Sequence, residues 1–121
     1  SKFKVTFTPH LTPMFRGILS TIYIDLKKSI TQSGIINELK KFYKNKKFEK
    51  IMSKNKILST NDVINTNYCY ISVCKTKYKN KLILLSVIDN LIKGGSGQAI
   101  QNMNQKFKFK EKEGLIWKKY Y

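Results

Sequence analysis

Tyr68-Cys69-Tyr70-Ile71-Ser72-Val73 and Leu82-Ile83-Leu84-Leu85-Ser86-Val87-Ile88, separated by the polar stretch Cys74 to Lys81, read as two strands of a hairpin. Both runs are built from β-branched, aromatic and aliphatic residues, which suit a pleated and largely covered surface. Asp89 and Asn90 end the second run. A sheet is therefore the centre of the fold, and the remaining elements are read by how they extend or cover it.

Upstream, Ile18 to Leu26 also alternates, with Ile18, Ser20, Ile22, Ile24 and Leu26 on one face and Leu19, Thr21, Tyr23 and Asp25 on the other. The second face is partly apolar, which predicts cover on both sides. Phe3 to Thr8 shows the same period, and Pro9 ends it. A helix entered at Thr31 or Ser33 carries Ile35, Ile36, Leu39, Phe42 and Tyr43 on one face. Phe48 to Met52 forms a short strand, and Ser53 to Asn67 reads mostly as loop around Val63 and Ile64. Downstream, Gly94-Gly95-Ser96-Gly97 makes a tight passage into a second helix with Ser96 as N-cap and Ile100, Met103 and Phe107 as a narrow apolar stripe. An aromatic tail, Trp117, Tyr120 and Tyr121, follows. The order two strands, helix, three strands, helix predicts a single α+β domain over residues 1–121 with a mixed or mainly antiparallel sheet.

The chain has 121 residues and a formal charge of +17. Of 24 basic residues 23 are Lys and one is Arg, spread along the whole length, beside 15 Ile, 10 Asn and a single Ala. Specific phosphate or base recognition leans on the planar guanidinium fork, so this surplus reads as compositional drift with generic polyanion affinity. A basic nucleic-acid-binding module is the rival reading. The longest apolar runs are too short for a spanning helix, and no secretory leader stands within these residues. No membrane association is expected. Cys69 and Cys74 are spaced for neither a CxxC pair nor a zinc ribbon, and no metal site is expected. Cys69, inside a strand, reads as a structural thiol.

Against the Lys-rich background the scarce residue types gather in two windows. Both Pro, the only His and the only Arg lie between Pro9 and Arg16, followed by Gly17. Three of six Gly and the sole Ala lie between Gly94 and Ala99. His10, on a loop stiffened by Pro9 and Pro13, is suited either to acid/base work or to simple exposure. Arg16 can hold a carboxylate or phosphate bidentately. The Asp89 to Ala99 window fits a ligand-cradling loop at a helix entry or a plain turn, and matches neither a P-loop nor a dinucleotide fingerprint.

Taken together, Phe7-Thr8-Pro9-His10-Leu11 with Pro13, Arg16-Gly17-Ile18-Leu19, Thr21-Ile22-Tyr23, Phe42-Tyr43, Thr66-Asn67, Ser86-Val87-Ile88-Asp89-Asn90-Leu91, Lys93-Gly94, Gly97 to Asn104 and Glu113-Gly114-Leu115 resemble the C-terminal half of the N-acetyl-gamma-glutamyl-phosphate reductase family. The resemblance implies a fold like the C-terminal domain of semialdehyde and glyceraldehyde-3-phosphate dehydrogenases. It implies a reductase of arginine biosynthesis that uses NADP(H). In that family a cysteine nucleophile from a Rossmann domain attacks the acyl phosphate, and the resulting thioester is reduced to the aldehyde.

By position, His10 then matches the acid/base histidine and Arg16 the substrate anchor. Asn90, Lys93, Gly94, Gly95, Gly97 and Gln98 match the part that closes over the nicotinamide. Cys69 matches a structural position. The chain is expected to be a fragment inactive alone, its nucleophile and Rossmann domain lying elsewhere, with residues 97–121 packing toward that domain and the Ile100, Met103, Phe107 stripe poorly covered. A cytoplasmic homo-oligomer, dimer or tetramer, is implied, with a small acyl phosphate as substrate and no specific nucleic acid. Reductases of N-acetyl-aminoadipyl phosphate and aspartate-semialdehyde dehydrogenases are the alternatives.

Overall fold

The computed structural model describes residues 4–27 and 29–116 of the chain. Strand β1 spans Ile18–Asp25, helix α1 Gln32–Phe42, β2 Glu49–Ile51, β3 Cys69–Lys75, β4 Lys81–Ile88 and helix α2 Gly97–Lys106. The four strands form one mixed sheet in the order β1-β4-β3-β2. The β3–β4 hairpin pairs antiparallel from Cys69 opposite Ile88 to Lys75 opposite Leu82. β1 adds antiparallel to β4, Ile18 opposite Ile88, and the short β2 lies parallel to β3. The α+β expectation therefore holds, with a mixed sheet.

Register decides what covers the sheet. Side chains alternate between faces, so Val73 and Leu82 share the face on which α1 lies, where Ile36 completes a small core flanked by Leu26, Ile35, Leu39, Ile51 and Leu84. Helix α1 starts at Thr31, whose hydroxyl accepts from the Gly34 N–H at 3.1 Å, the N-cap role that relieves an orphan donor. The other face carries Val87, covered by Leu58 and Val63 from the segment between β2 and β3. That segment is held by a single 3₁₀ turn, Thr60–Asp62, with a reciprocal Ser59–Asp62 capping box. Val63 is wholly buried and Leu58 nearly so, so a stretch that reads as loop supplies two core residues.

Several sequence expectations fail for identifiable reasons. The strand predicted over Phe3–Thr8 does not form in its described part: residues 4–8 pair with no strand among the described residues, and Val5 and Phe7 are 85% and 83% exposed. Alternation builds a strand only where a ladder partner and an apolar surface receive it. β1 has its ladder partner in β4 but little cover: Ile18, Leu19, Ile22 and Tyr23 remain exposed, and only Ser20 and Ile24 are half-buried. Phe42, placed on the apolar face of α1, instead stands exposed with its ring edge-on to Tyr43 at 4.9 Å. Phe3, Trp117, Tyr120 and Tyr121 lie outside the described residues.

Ser96 is not an N-cap. Residues Ile92–Ser96 form a π-helical turn that runs into α2, and Ser96 has helical backbone angles with no capping hydrogen bond. Gly94 N–H donates to the Asp89 carbonyl and Ser96 N–H to that of Leu91, both five residues back. The predicted glycine passage is thus part of a helix, kinked at Gly95.

Candidate active site

The strands start or end at one edge where both windows meet. β4 ends at Ile88 opposite the start of β1, so Asp89 and Asn90 emerge beside Arg16 and Gly17. Arg16 Nε donates to Asp89 Oδ1 at 3.0 Å and lies 2.9 Å from Oδ2, and Gly17 N–H donates to Asn90 Oδ1 at 2.7 Å. Gly17 is required here twice over: its φ is +107°, and a Cβ would come within 2.6 Å of the Thr60 side chain.

Asp89 is the hub of this junction and is fully buried. Oδ1 also accepts from the N–H groups of Leu91 and Ile92 at 2.9 and 3.0 Å, and Oδ2 from Asn65 N–H at 2.8 Å. Burial alone would raise its pKa, yet the N–H groups of Asn65 and Ile92, the Arg16 guanidinium and the Leu91 N–H together hold it below the ordinary carboxylate value. The depressed value means that this carboxylate stabilises the fold fully above the unfolded-state pKa, about 4, and that the contribution is lost as pH falls through the lower folded value. Thermal denaturation followed from neutral to strongly acid pH should show this decline, and Asp89→Asn should flatten it. An unchanged acid limb in that variant would count against the ionised hub.

His10 stands exposed on the segment before Arg16. Its Nδ1 lies 3.1 Å from the Thr8 carbonyl, an acceptor only, so Nδ1 carries the hydrogen and Nε2 is left for a reactant. Cys69 is half-buried against Ser86 Oγ at 3.5 Å. Burial first, and then the Glu49 carboxylate, raise its pKa, with only partial opposition from Ser86 and Lys93. It stays a thiol, unsuited to nucleophilic attack.

The second window divides into an outer and an inner side. Gly94 and Gly95 are exposed, and Gln98 is half-buried with its amide donating to Asn102 Oδ1 at 2.8 Å. Lys93 points inward: Nζ bonds Glu49 Oε1 at 2.9 Å and Gln101 Oε1 at 2.8 Å and sits 5.4 Å over the Phe48 ring. Gly97 is buried because α2 is pressed against its neighbours. A Cβ there would strike Asn67 Oδ1 and come within 2.7 Å of Ile92 Cγ2 and 2.9 Å of the Ile92 carbonyl oxygen. Gly97→Ala should therefore cost about 1–3 kcal/mol by overpacking, read as a shift of the urea midpoint. A midpoint at the original value would show that the helix can back away freely.

The face that α2 turns inward is polar, since its buried residues are Gly97, Gln101 and Asn104. Gln101 accepts from Asn67 Nδ2 and Lys93 and donates to Glu111 Oε1, while Asn104 Nδ2 reaches the carbonyls of Glu111 and Glu113. Ile100, Met103 and Phe107 are left on the outside, 37%, 46% and 66% exposed. Asp89, Glu49, Gln101 and Phe48 are the site-supporting residues that sequence reasoning passes over. For Asp89 and Glu49 the one sequence signal is scarcity, since only 7 carboxylates stand against 24 basic residues, whereas Gln101 and Phe48 carry none. Among the described residues no three His, Cys, Asp or Glu side chains cluster as a metal site, and no helix is long and apolar enough to cross a membrane.

Comparison with known proteins places the chain among related sequences. The chain is 48% identical over 113 residues to the N-acetyl-gamma-glutamyl-phosphate reductase of Staphylococcus saprophyticus, covering 93% of this chain and 33% of the relative. It is 46% identical over 114 residues to the reductase of the same name from Thermoanaerobacter pseudethanolicus, covering 94% and 33%. With that from Brachyspira hyodysenteriae it shares 49% over 113 residues, covering 93% and 32%. The chain thus spans about a third of the length of the curated relatives it matches. Residues 1–90 match the model of the semialdehyde dehydrogenase dimerisation domain. The first window falls within that match, and of the second only Asp89 and Asn90 do; the chain belongs to the semialdehyde dehydrogenase dimerisation-domain family.

Proposed function

We propose that this chain is the part of an NADPH-dependent acyl-phosphate reductase that supplies the acid/base histidine and the substrate-anchoring arginine. The substrate in this reading is N-acetyl-gamma-glutamyl phosphate, the product its semialdehyde, and the setting arginine biosynthesis. The observation that carries it is the convergence of the two windows, joined by the Arg16–Asp89 and Gly17–Asn90 bonds. The names of the relatives supply the substrate.

The outer side of the Ile92–Ser96 turn fits a nicotinamide ring, because Gly94 and Gly95 are exposed and carry no side chain to hold it off. Gln98 borders the same surface. Lys93, Gly97 and Asn90, engaged inside, support it from behind. When bound, NADPH supplies the hydride. This chain's residues do the rest of what falls to them: Arg16 holds the anionic end of the substrate, and His10 Nε2 takes the proton of the incoming thiol and returns one to the developing alkoxide. The nucleophile comes from the remaining part of the enzyme, since Cys69 is kept protonated by burial and by Glu49.

The uncovered apolar surfaces suit the remaining partners. The exposed Ile18, Leu19, Ile22 and Tyr23 of β1 suit a second copy in a homo-oligomer, in keeping with the matched dimerisation domain. The Ile100, Met103 and Phe107 stripe suits the dinucleotide-binding part of the same protein. A biosynthetic reductase of this kind would work in the cytoplasm. The test is to express the full-length coding region and follow NADP reduction with N-acetylglutamate semialdehyde and phosphate. Faster turnover of the aminoadipyl or aspartyl analogue would move the substrate, and no turnover with any of the three would overturn the reading.

A further inference from the structure

Asp89 is tied to Arg16 in a way that charge neutralisation alone does not require. A buried carboxylate needs partners, and three backbone N–H groups already serve it, those of Asn65, Leu91 and Ile92. The fourth partner is the guanidinium, and it engages through Nε alone, 3.0 Å from Oδ1 and 2.9 Å from Oδ2. The terminal nitrogens of Arg16 make no hydrogen bond among the described residues, although the side chain is only 18% exposed. A guanidinium has five N–H donors, and the four on its terminal nitrogens are those that form a fork with carboxylate or phosphate.

Composition points the same way. With 23 Lys in the chain, an ammonium could serve as a plain counterion to Asp89, yet the single Arg stands there. Only a guanidinium can be gripped at Nε and still offer a planar pair of donors to a second anion. The same Asp89 Oδ1 also receives the N–H groups of Leu91 and Ile92, the entry to the π-helical turn, so one carboxylate fixes both the arginine and the turn beside it.

We infer that Asp89 is a positioning residue for substrate binding: it clamps Arg16 by Nε and so aims the terminal fork at the anionic group of the substrate, in register with the Ile92–Ser96 turn. The inference rests on the proposed reading of Arg16 as the substrate anchor. Losing one charge-assisted hydrogen bond is worth about 10- to 100-fold in affinity, and that is the size of effect expected.

The test is a double-mutant cycle in the full-length enzyme with Asp89→Asn, Arg16→Lys and the double variant. KM for the acyl phosphate and the calorimetric Kd of N-acetylglutamate are measured together with the melting temperature. Asp89→Asn should raise KM and Kd by about 10- to 100-fold with a smaller change in kcat. Arg16→Lys should do the same while keeping the melting temperature, because the ammonium still neutralises Asp89. The double variant should bind little worse than Arg16→Lys. Independent, multiplying effects on KM and Kd would overturn the inference, as would an unchanged KM in Asp89→Asn. Should Asp89→Asn fail to fold, Arg16→Lys decides alone: unchanged KM and Kd at unchanged melting temperature overturn it. A wild-type enzyme that turns over none of the acyl phosphates removes the proposed function and this inference with it, whereas an active enzyme with an additive cycle removes the inference only.

Discussion

Replacing His10 with alanine in the full-length enzyme should lower turnover about 10²- to 10⁴-fold, the usual cost of losing a general acid/base, if His10 holds the proposed role. The size follows from what the segment does with the imidazole. Pro9 stiffens the chain before it, and the Thr8 carbonyl holds Nδ1 at 3.1 Å, so one tautomer is selected and Nε2 is left for proton transfer. The side chain is exposed and packs no core, so its removal should leave the melting temperature where it was. His10→Gln separates position from chemistry: it keeps a donor for Thr8 but transfers no proton, and should be nearly as slow as the alanine variant. Turnover within about threefold of wild type in either variant would remove His10 from the acid/base role.

Phe48→Ala should destabilise the fold by about 3–5 kcal/mol, a large share of the 5–15 kcal/mol typical of a folded domain. Phe48 is wholly buried just ahead of β2, and its carbonyl accepts from Cys69 N–H at 2.9 Å. Its ring lies 5.8 Å from that of Tyr68 and beneath the Lys93 ammonium. Removing it leaves a void under a partly buried ion pair, so lost burial and a loosened Lys93–Glu49 contact act in the same direction. Urea denaturation measures the loss, and Phe48→Leu, which refills most of the volume, should cost markedly less. A loss below about 1 kcal/mol in the alanine variant would show that the neighbours collapse into the space.

The two predictions differ in how far the sequence foretells them. His10 stands out because a chain so rich in Lys, Ile and Asn keeps its one His between two Pro. Phe48 is one of 7 Phe, and periodicity does not distinguish it from Phe42, which ends exposed. The same division runs through the fold. β3, β4 and α1 were readable because their periods coincide with the surfaces they bury. The strand expected over Phe3–Thr8 had the period without a partner. In α2 the helix seats itself by Gln101 and Asn104 and turns Ile100, Met103 and Phe107 outward, a stripe expected to be poorly covered but by a polar seating that periodicity does not reveal. Hydrophobic pattern predicts a buried face only where apolar burial outweighs polar pairing, and here Lys93, Asn67 and Glu111 give the polar face its partners.

Local chemistry along the chain was enough to settle the α+β class, the hairpin, the helix entered at Thr31 or Ser33 and the two windows of scarce residues, because each depends on neighbours a few positions away. The meeting of those windows was not readable that way. Arg16 and Asp89 are 73 positions apart, and only the antiparallel register of β1 on β4 brings them together. Which donor of Arg16 is taken and which are left depends on that register. So does the burial that makes Asp89, in sequence merely the end of a strand, the residue on which the junction turns.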